Sequence, residues 1–297
     1  MAVDRNRTWM GLYLPENYYS APQKAFEYEL LLGKKIRILS FYHSWGAGSE
    51  HVDLSGLKEV SQSGFIPMIT WEPWMPKESW GKRQPENQPE FSLSKILSGK
   101  YDDYIRNWAI DLKKVSGPVF LRPMHEMNGN WYPWCGTVNG NKPSDYVEAW
   151  RHIRSIFRSV RNNHIMWVWS PYVYSFPDEP ENAISRYFPG SDEFDWLGLD
   201  GYNWGLTREW SRWEDFRTIF ENAYTELIRL APEKSLMIAE VGCAEEGGDK
   251  GKWIEEAFLE LRSRFSRINA VVWFNIDKEC DWRIESSAGS INAFKKS

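Results

Sequence analysis

Short runs rich in β-branched and aromatic residues return eight times along this chain, and that recurrence constrains its fold more than any other feature. They are Met10–Leu14, Ile36–His43, Phe65–Trp71, Pro118–Glu126, Ile165–Pro171, Trp196–Asn203, Leu236–Gly242 and Ala270–Asn275. Several are almost continuously apolar, the pattern of parallel strands buried on both faces. Between them, apolar residues recur at helical spacing in Ala21–Leu32, Asp102–Val115, Ser144–Arg161, Trp213–Leu230 and Lys250–Phe265. Asp53 or Ser55 has the chemistry to cap a further helix. Eight units over 297 residues, about 37 residues each, predict a (β/α)8 TIM barrel forming a single domain over residues 1–297. The competing open doubly wound sheet carries a glycine-rich phosphate turn after its first strand. Here the first run is followed by Pro15-Glu16-Asn17-Tyr18-Tyr19, which has no glycine.

Charge and composition narrow the function. Lys+Arg number 36 and Asp+Glu 41, a net charge of −5, which disfavours a nucleic-acid partner. Tryptophan is unusually abundant at 18 residues. Its flat ring stacks on the apolar faces of sugars as well as of bases, so a sugar ligand is the expectation. No apolar run approaches the roughly 20 residues of a membrane span, so no membrane partner is expected. The polar Met1–Arg7 lacks the apolar core of a signal peptide, which suggests a trimmed module of a secreted protein or a protein made without that signal. Cys135, Cys243 and Cys280 match no zinc spacing, and their odd number leaves at least one without a partner in the chain.

A barrel of this kind places its chemistry at the C-terminal ends of its strands. Those ends carry His43, Trp71, Glu72, His125, Glu126, Trp169, Ser170, Asp200, Tyr202, Glu240, Trp273 and Asn275. Period-two alternation puts Arg122, Met124 and Glu126 on one face of the fourth strand, and Leu236, Ile238 and Glu240 on one face of the seventh. Glu126 and Glu240 are 114 positions apart, about three βα units, so they face each other across the barrel mouth. Two carboxyl groups across a cleft suit glycoside hydrolysis, one protonated as general acid and one ionised as nucleophile. A plain salt bridge, with Arg122 as partner, is the structural alternative for the same residues.

The stretch Arg122-Pro-Met-His-Glu-Met-Asn-Gly-Asn-Trp131 resembles the acid/base signature of glycoside hydrolase family 26. Asp200-Gly-Tyr-Asn-Trp-Gly205 is similar to that family's sixth-strand motif, and Ala239-Glu240-Val-Gly242 to its nucleophile strand. The resemblance implies a retaining mechanism without a cofactor, with Glu126 as acid/base and Glu240 as nucleophile. It implies that His125 and Asp200 contact the sugar at the cleavage point and that Tyr202 hydrogen-bonds the nucleophile. It also implies that Trp273 is the platform beneath the ring, that Trp131 borders the leaving group and that Asn128 belongs to the substrate site. The family's mannanases carry a glycine-glutamine-rich segment at the second strand, where this chain has Ser40-Phe-Tyr-His-Ser-Trp-Gly46. Thr70-Trp-Glu-Pro-Trp74 resembles members acting on mixed-linkage β-glucan, which adds Trp71 and Trp74 to the expected substrate contacts.

The expected activity is therefore endo-1,4-β-mannanase. An endo-β-1,3-1,4-glucanase is the alternative, and a catalytically inactive sugar-binding barrel is an alternative of another class. No metal is expected, because no second histidine follows His125-Glu126 at zinc-motif spacing. Ser170 lacks the glycine elbow of a serine hydrolase. The protein is expected to act as a monomer on a polysaccharide. Trp74, Trp80, Trp131, Trp134 and Trp204 lie beyond strand ends, where sugar stacking is the expectation. Trp150, Trp210 and Trp253 lie in or beside helical patterns and are expected in the core.

Overall fold

The structure is a computed structural model that describes residues 8–47, 50–75, 87–162 and 164–297. Eight strands form it: β1 (Trp9–Tyr13), β2 (Ile36–Ser44), β3 (Ile66–Glu72), β4 (Val119–Pro123), β5 (Ile165–Trp169), β6 (Trp196–Asn203), β7 (Ser235–Cys243) and β8 (Ile268–Phe274). They pair in sequence order, and β1 also pairs with β8 in parallel, closing the barrel. Outside them run α1 (Ala21–Leu32), α2 (Leu54–Gln62), α3 (Leu93–Leu97), α4 (Asp102–Leu112), α5 (Pro143–Ser159), α6 (Phe216–Leu230), α7 (Lys250–Ser263) and α8 (Ala288–Lys296). Each of the eight expected runs overlaps a strand, and each expected helical pattern overlaps a helix. Asp53 caps α2 by accepting from the Gly56 amide at 2.9 Å. The stretch from β5 to β6 holds only short 3-10 turns such as Pro180–Asn182 among its described residues.

The strands are buried on both faces, so two apolar layers form. Ile38, Met68, Phe120, Val168, Met237 and Val272 pack inside the barrel. Leu39, Ile69, Leu121, Leu236, Ile238 and Val271 pack outward against the helices. This parity corrects two expectations. On β7, Leu236 and Ile238 face the helices, so simple alternation would send Glu240 outward as well. A bulge reverses it: Leu199 pairs with Ile238 but Asp200 pairs with Glu240, skipping Ala239. On the fourth strand, Arg122 follows Phe120 inward, but β4 ends at Pro123 and Met124 packs with the outer layer. Met124 and Glu126 then adopt left-handed conformations, with φ of 49° and 53°. Such backbone costs a residue with a side chain about 1–3 kcal/mol and is concentrated at functional sites.

Candidate active site at the barrel mouth

Arg122 is the hub of the mouth. It is buried, and its Nη1 donates to both Asp200 oxygens at 2.8 Å. Its Nε and Nη2 donate to Thr70 Oγ1 at 3.1 and 2.7 Å, and Nη2 also donates to Glu240 Oε1. The planar guanidinium is suited to this because its donors form a fixed fork that aligns carboxylates. The phenols of Tyr42 and Tyr202 donate to the two Glu240 oxygens. Burial alone would raise the Glu240 pKa; the Arg122 charge, then the His125 charge present at the low pH where Glu240 titrates, and the phenols outweigh it and hold it at about 2. His125 Nε2 lies 3.9 Å from Glu240, but burial holds the imidazole pKa at about 3, so at neutral pH it brings no charge.

Glu126 sits in the opposite environment. Its left-handed turn is fixed by its own amide, which donates to Ser170 O at 2.8 Å. Trp131 Nε1 donates to its carboxyl at 2.7 Å. Burial, then the nearby Glu240 charge, raise its pKa to about 8. Two glutamates at one mouth are thus biased apart, one neutral and one ionised at neutral pH. Glu72, at the end of β3, is a third buried glutamate. Its pKa is also raised to about 8, by burial and then Glu240, and it accepts from Trp74 Nε1 at 3.2 Å.

The structure gathers Glu126, Glu240, His125, Trp131 and Tyr202 at the mouth, and Trp74 at its edge. Both ring nitrogens of His125 are buried and lack a hydrogen-bond partner among the described residues. The other expected sites are corrected. Trp71 faces outward, donates to Tyr104 at 3.2 Å and stacks on Trp108 of α4. Trp273 faces outward too, donating to Trp282 O at 2.7 Å and meeting Phe294 edge-on. Phe274, the next residue, turns to the mouth and stacks on Tyr13 with centroids 4.7 Å apart. Asp200 is fully buried as the counter-ion of Arg122. Asn128 is a clamp: it donates to Tyr172 O and Tyr174 O at 2.9 and 3.2 Å and accepts from the Tyr172 amide at 2.9 Å. Trp134 is buried against Tyr132 and donates to His125 O at 2.7 Å, which makes it a support for the mouth. Trp150 and Trp253 are core, as expected, whereas Trp210 is 70% exposed. Trp80 lies outside the described residues.

Sequence reasoning missed Tyr42, Thr70 and Phe274 as parts of the mouth. The inner parity of β2, β3 and β8 identifies all three once it is known. The cysteines are unpaired. Among the described residues no group of three His, Cys, Asp or Glu is arranged to hold a metal ion, and no helix is long and apolar enough to cross a membrane.

A closed parallel barrel thus carries at its C-terminal mouth one carboxyl biased neutral and one biased ionised. The model of glycosyl hydrolase family 26 matches residues 47–248, and the chain belongs to that family. Endoglucanase H of Acetivibrio thermocellus is 35% identical over 97% of this chain, which spans 29% of that protein. A mannan endo-1,4-beta-mannosidase of Bacillus subtilis is 29% identical over 37% of this chain and 28% of its own length. The chain therefore spans under a third of these curated relatives. Among solved structures, a modular endo-beta-1,4-mannanase from Cellulomonas fimi superposes with a TM-score of 0.72 at 15% identity, covering 99% of this chain and 71% of that one. At that identity the likeness concerns the fold.

Proposed function

We propose that this chain is a retaining endo-β-glycanase that hydrolyses a plant-type β-linked polysaccharide, with β-1,4-mannan as the substrate. One observation carries the reading: Glu126 and Glu240 share the mouth in opposite surroundings, Glu126 buried with Trp131 as its side-chain donor and Glu240 held by Arg122 and two phenols, which pushes their pKa values apart, to about 8 and about 2. Protonated Glu126 gives its proton to the glycosidic oxygen as that bond breaks. Ionised Glu240 attacks the anomeric carbon and forms a glycosyl ester, which removes its charge. With that charge gone the Glu126 pKa falls, so its carboxylate takes a proton from water as the water attacks the same carbon and releases Glu240. Arg122 and the two phenols aim the nucleophile and hold it ionised, and His125 offers its free nitrogens to a hydroxyl of the reacting sugar. No cofactor enters these steps.

Mannan is the substrate named for several relatives. Mixed-linkage β-1,3-1,4-glucan is the second reading, favoured by the relative named as an endoglucanase, whose match covers 97% of this chain. Polymers of this size do not enter cells, which supports a secreted protein or a catalytic module of one. The test is release of dye from dye-linked mannan and barley β-glucan by the protein and by Glu240→Ala. Turnover of mannan, lost in the variant, is expected. Turnover of the glucan alone moves the substrate and keeps the mechanism. Binding without turnover of either polymer would leave a sugar-binding barrel and refute the enzyme.

A further inference from the structure

A cavity of about 900 Å3 opens beside the mouth, between the segment after β5 and the segment after β6. Tyr172 and Tyr202 line its inner end, while Phe176, Trp204 and Trp210 line its outer part. Its size lies near the top of the roughly 300–1,000 Å3 range of small-ligand clefts. Its rim is expensive to leave bare. Phe176 is 41% and Trp210 70% exposed, and both line the cavity. Exposed apolar groups gathered at one place mark a binding surface. The segments are also firmly built. Asn128 clamps Tyr172 and Tyr174, Trp204 meets Trp282 edge-on at 4.9 Å, and the Glu214 amide donates to Asn203 Oδ1 at 3.1 Å.

Resting on the glycanase reading, we propose that this groove is an additional saccharide site on the leaving-group side, with Trp210 as its outer stacking platform. The direction follows from the acid. Glu126 protonates the leaving oxygen, so the leaving chain departs past Glu126 and the Trp131 that binds it. Trp131 meets Tyr172 at 5.3 Å and Phe176 at 5.6 Å, which makes one aromatic wall from the acid into the groove. The occupant is a neutral glycan. Asp178, Glu179, Glu214 and Glu226 line the groove against one cation, Arg212, so a polyanion such as a uronic-acid polymer is repelled. Carboxylates and a guanidinium beside flat rings suit sugar hydroxyls and sugar faces together. Phe176 and Trp204 are tied into the mouth, and Trp210 joins it through its contact with Trp204, 5.3 Å between centroids.

The experiment compares the protein with Trp210→Ala and Trp210→Phe. It measures kcat/KM on a β-1,4-manno-oligosaccharide series and a mixed-linkage glucan oligosaccharide series, and on an aryl β-glycoside whose leaving group is a single ring. For Trp210→Ala a roughly ten-fold loss is expected on the longest oligosaccharides, the scale of truncating one binding aromatic. The loss should shrink as the leaving portion shortens, the aryl glycoside should stay within about two-fold, and Trp210→Phe should restore most of the loss on long chains. Equal values for all three proteins on long chains would overturn the proposal. So would an equal loss on every substrate, which marks a structural role. If the unaltered protein cleaves no substrate, the glycanase reading itself falls, an outcome distinct from either.

Discussion

Replacing Glu240 with Gln should lower the pKa of Glu126 by about two units without removing its burial. Gln keeps the size of the side chain and one carbonyl oxygen, which still accepts from Arg122 and Tyr42. The amide nitrogen at the other position accepts nothing, so the Tyr202 hydroxyl turns to accept from it, and one charge disappears with little change of shape. A retaining pair stands about 5–5.5 Å apart. At an effective dielectric constant near 20, two like charges at that distance repel by about 3 kcal/mol. At 1.36 kcal/mol per unit that is about two pKa units. Glu126 begins at about 8, so it should titrate at about 6 in Glu240→Gln. It should stay above the ordinary 4.5, because burial is the larger cause of its shift. The Arg122 charge, no longer neutralised by Glu240, acts in the same direction. Carbon-13 NMR of side-chain-labelled glutamate follows the titration without needing activity, and Glu126→Gln identifies the signal. An unchanged midpoint would refute charge coupling as the origin of the switch from acid to base.

Two further perturbations probe the same electrostatics. Tyr202→Phe removes a donor to ionised Glu240; a hydrogen bond to a charged group contributes about 1.5–3 kcal/mol, so the acid limb of the kcat/KM profile should move up by one to two units, and an unmoved limb contradicts the role of the phenol. Glu126→Gln should stabilise the protein at pH 7. The folded pKa of about 8 exceeds the ordinary 4.5, so between those values the native state binds a proton that the unfolded chain lacks, and stability falls as pH rises through that window. Removing the carboxyl relieves up to about 3 kcal/mol at pH 7 and nothing near pH 4; thermal melting at both values checks this, and an equal or lower midpoint at pH 7 counts against it.

The barrel was legible because each strand is short, apolar on both faces and separated from the next by a helical period. Glu126 and Glu240 were legible as strand-end carboxyls, although alternation was the wrong reason for their direction. A bulge at Ala239 and left-handed turns at Met124 and Glu126 override the period of two, and neither involves a glycine that would have marked it. The same parity problem hid the roles of Trp71 and Trp273. Where both faces of a strand are apolar, composition does not say which aromatic turns inward, so Thr70 and Phe274 hold the positions their neighbours were expected to fill. Asn128 is legible only as a polar residue in a motif; that its amide clamps the chain after β5 depends on a contact 44 residues away. Trp210 looked like core because it precedes a helical pattern, whereas α6 begins only at Phe216.

A double displacement through Glu240 fixes the anomeric configuration of the first product. Proton NMR during early hydrolysis of a β-linked oligosaccharide, faster than mutarotation, reports which anomer forms. The β-anomer is expected first, with the α-anomer growing in later as the sugar equilibrates. The α-anomer appearing first would mean direct attack by water, and would contradict Glu240 as the nucleophile.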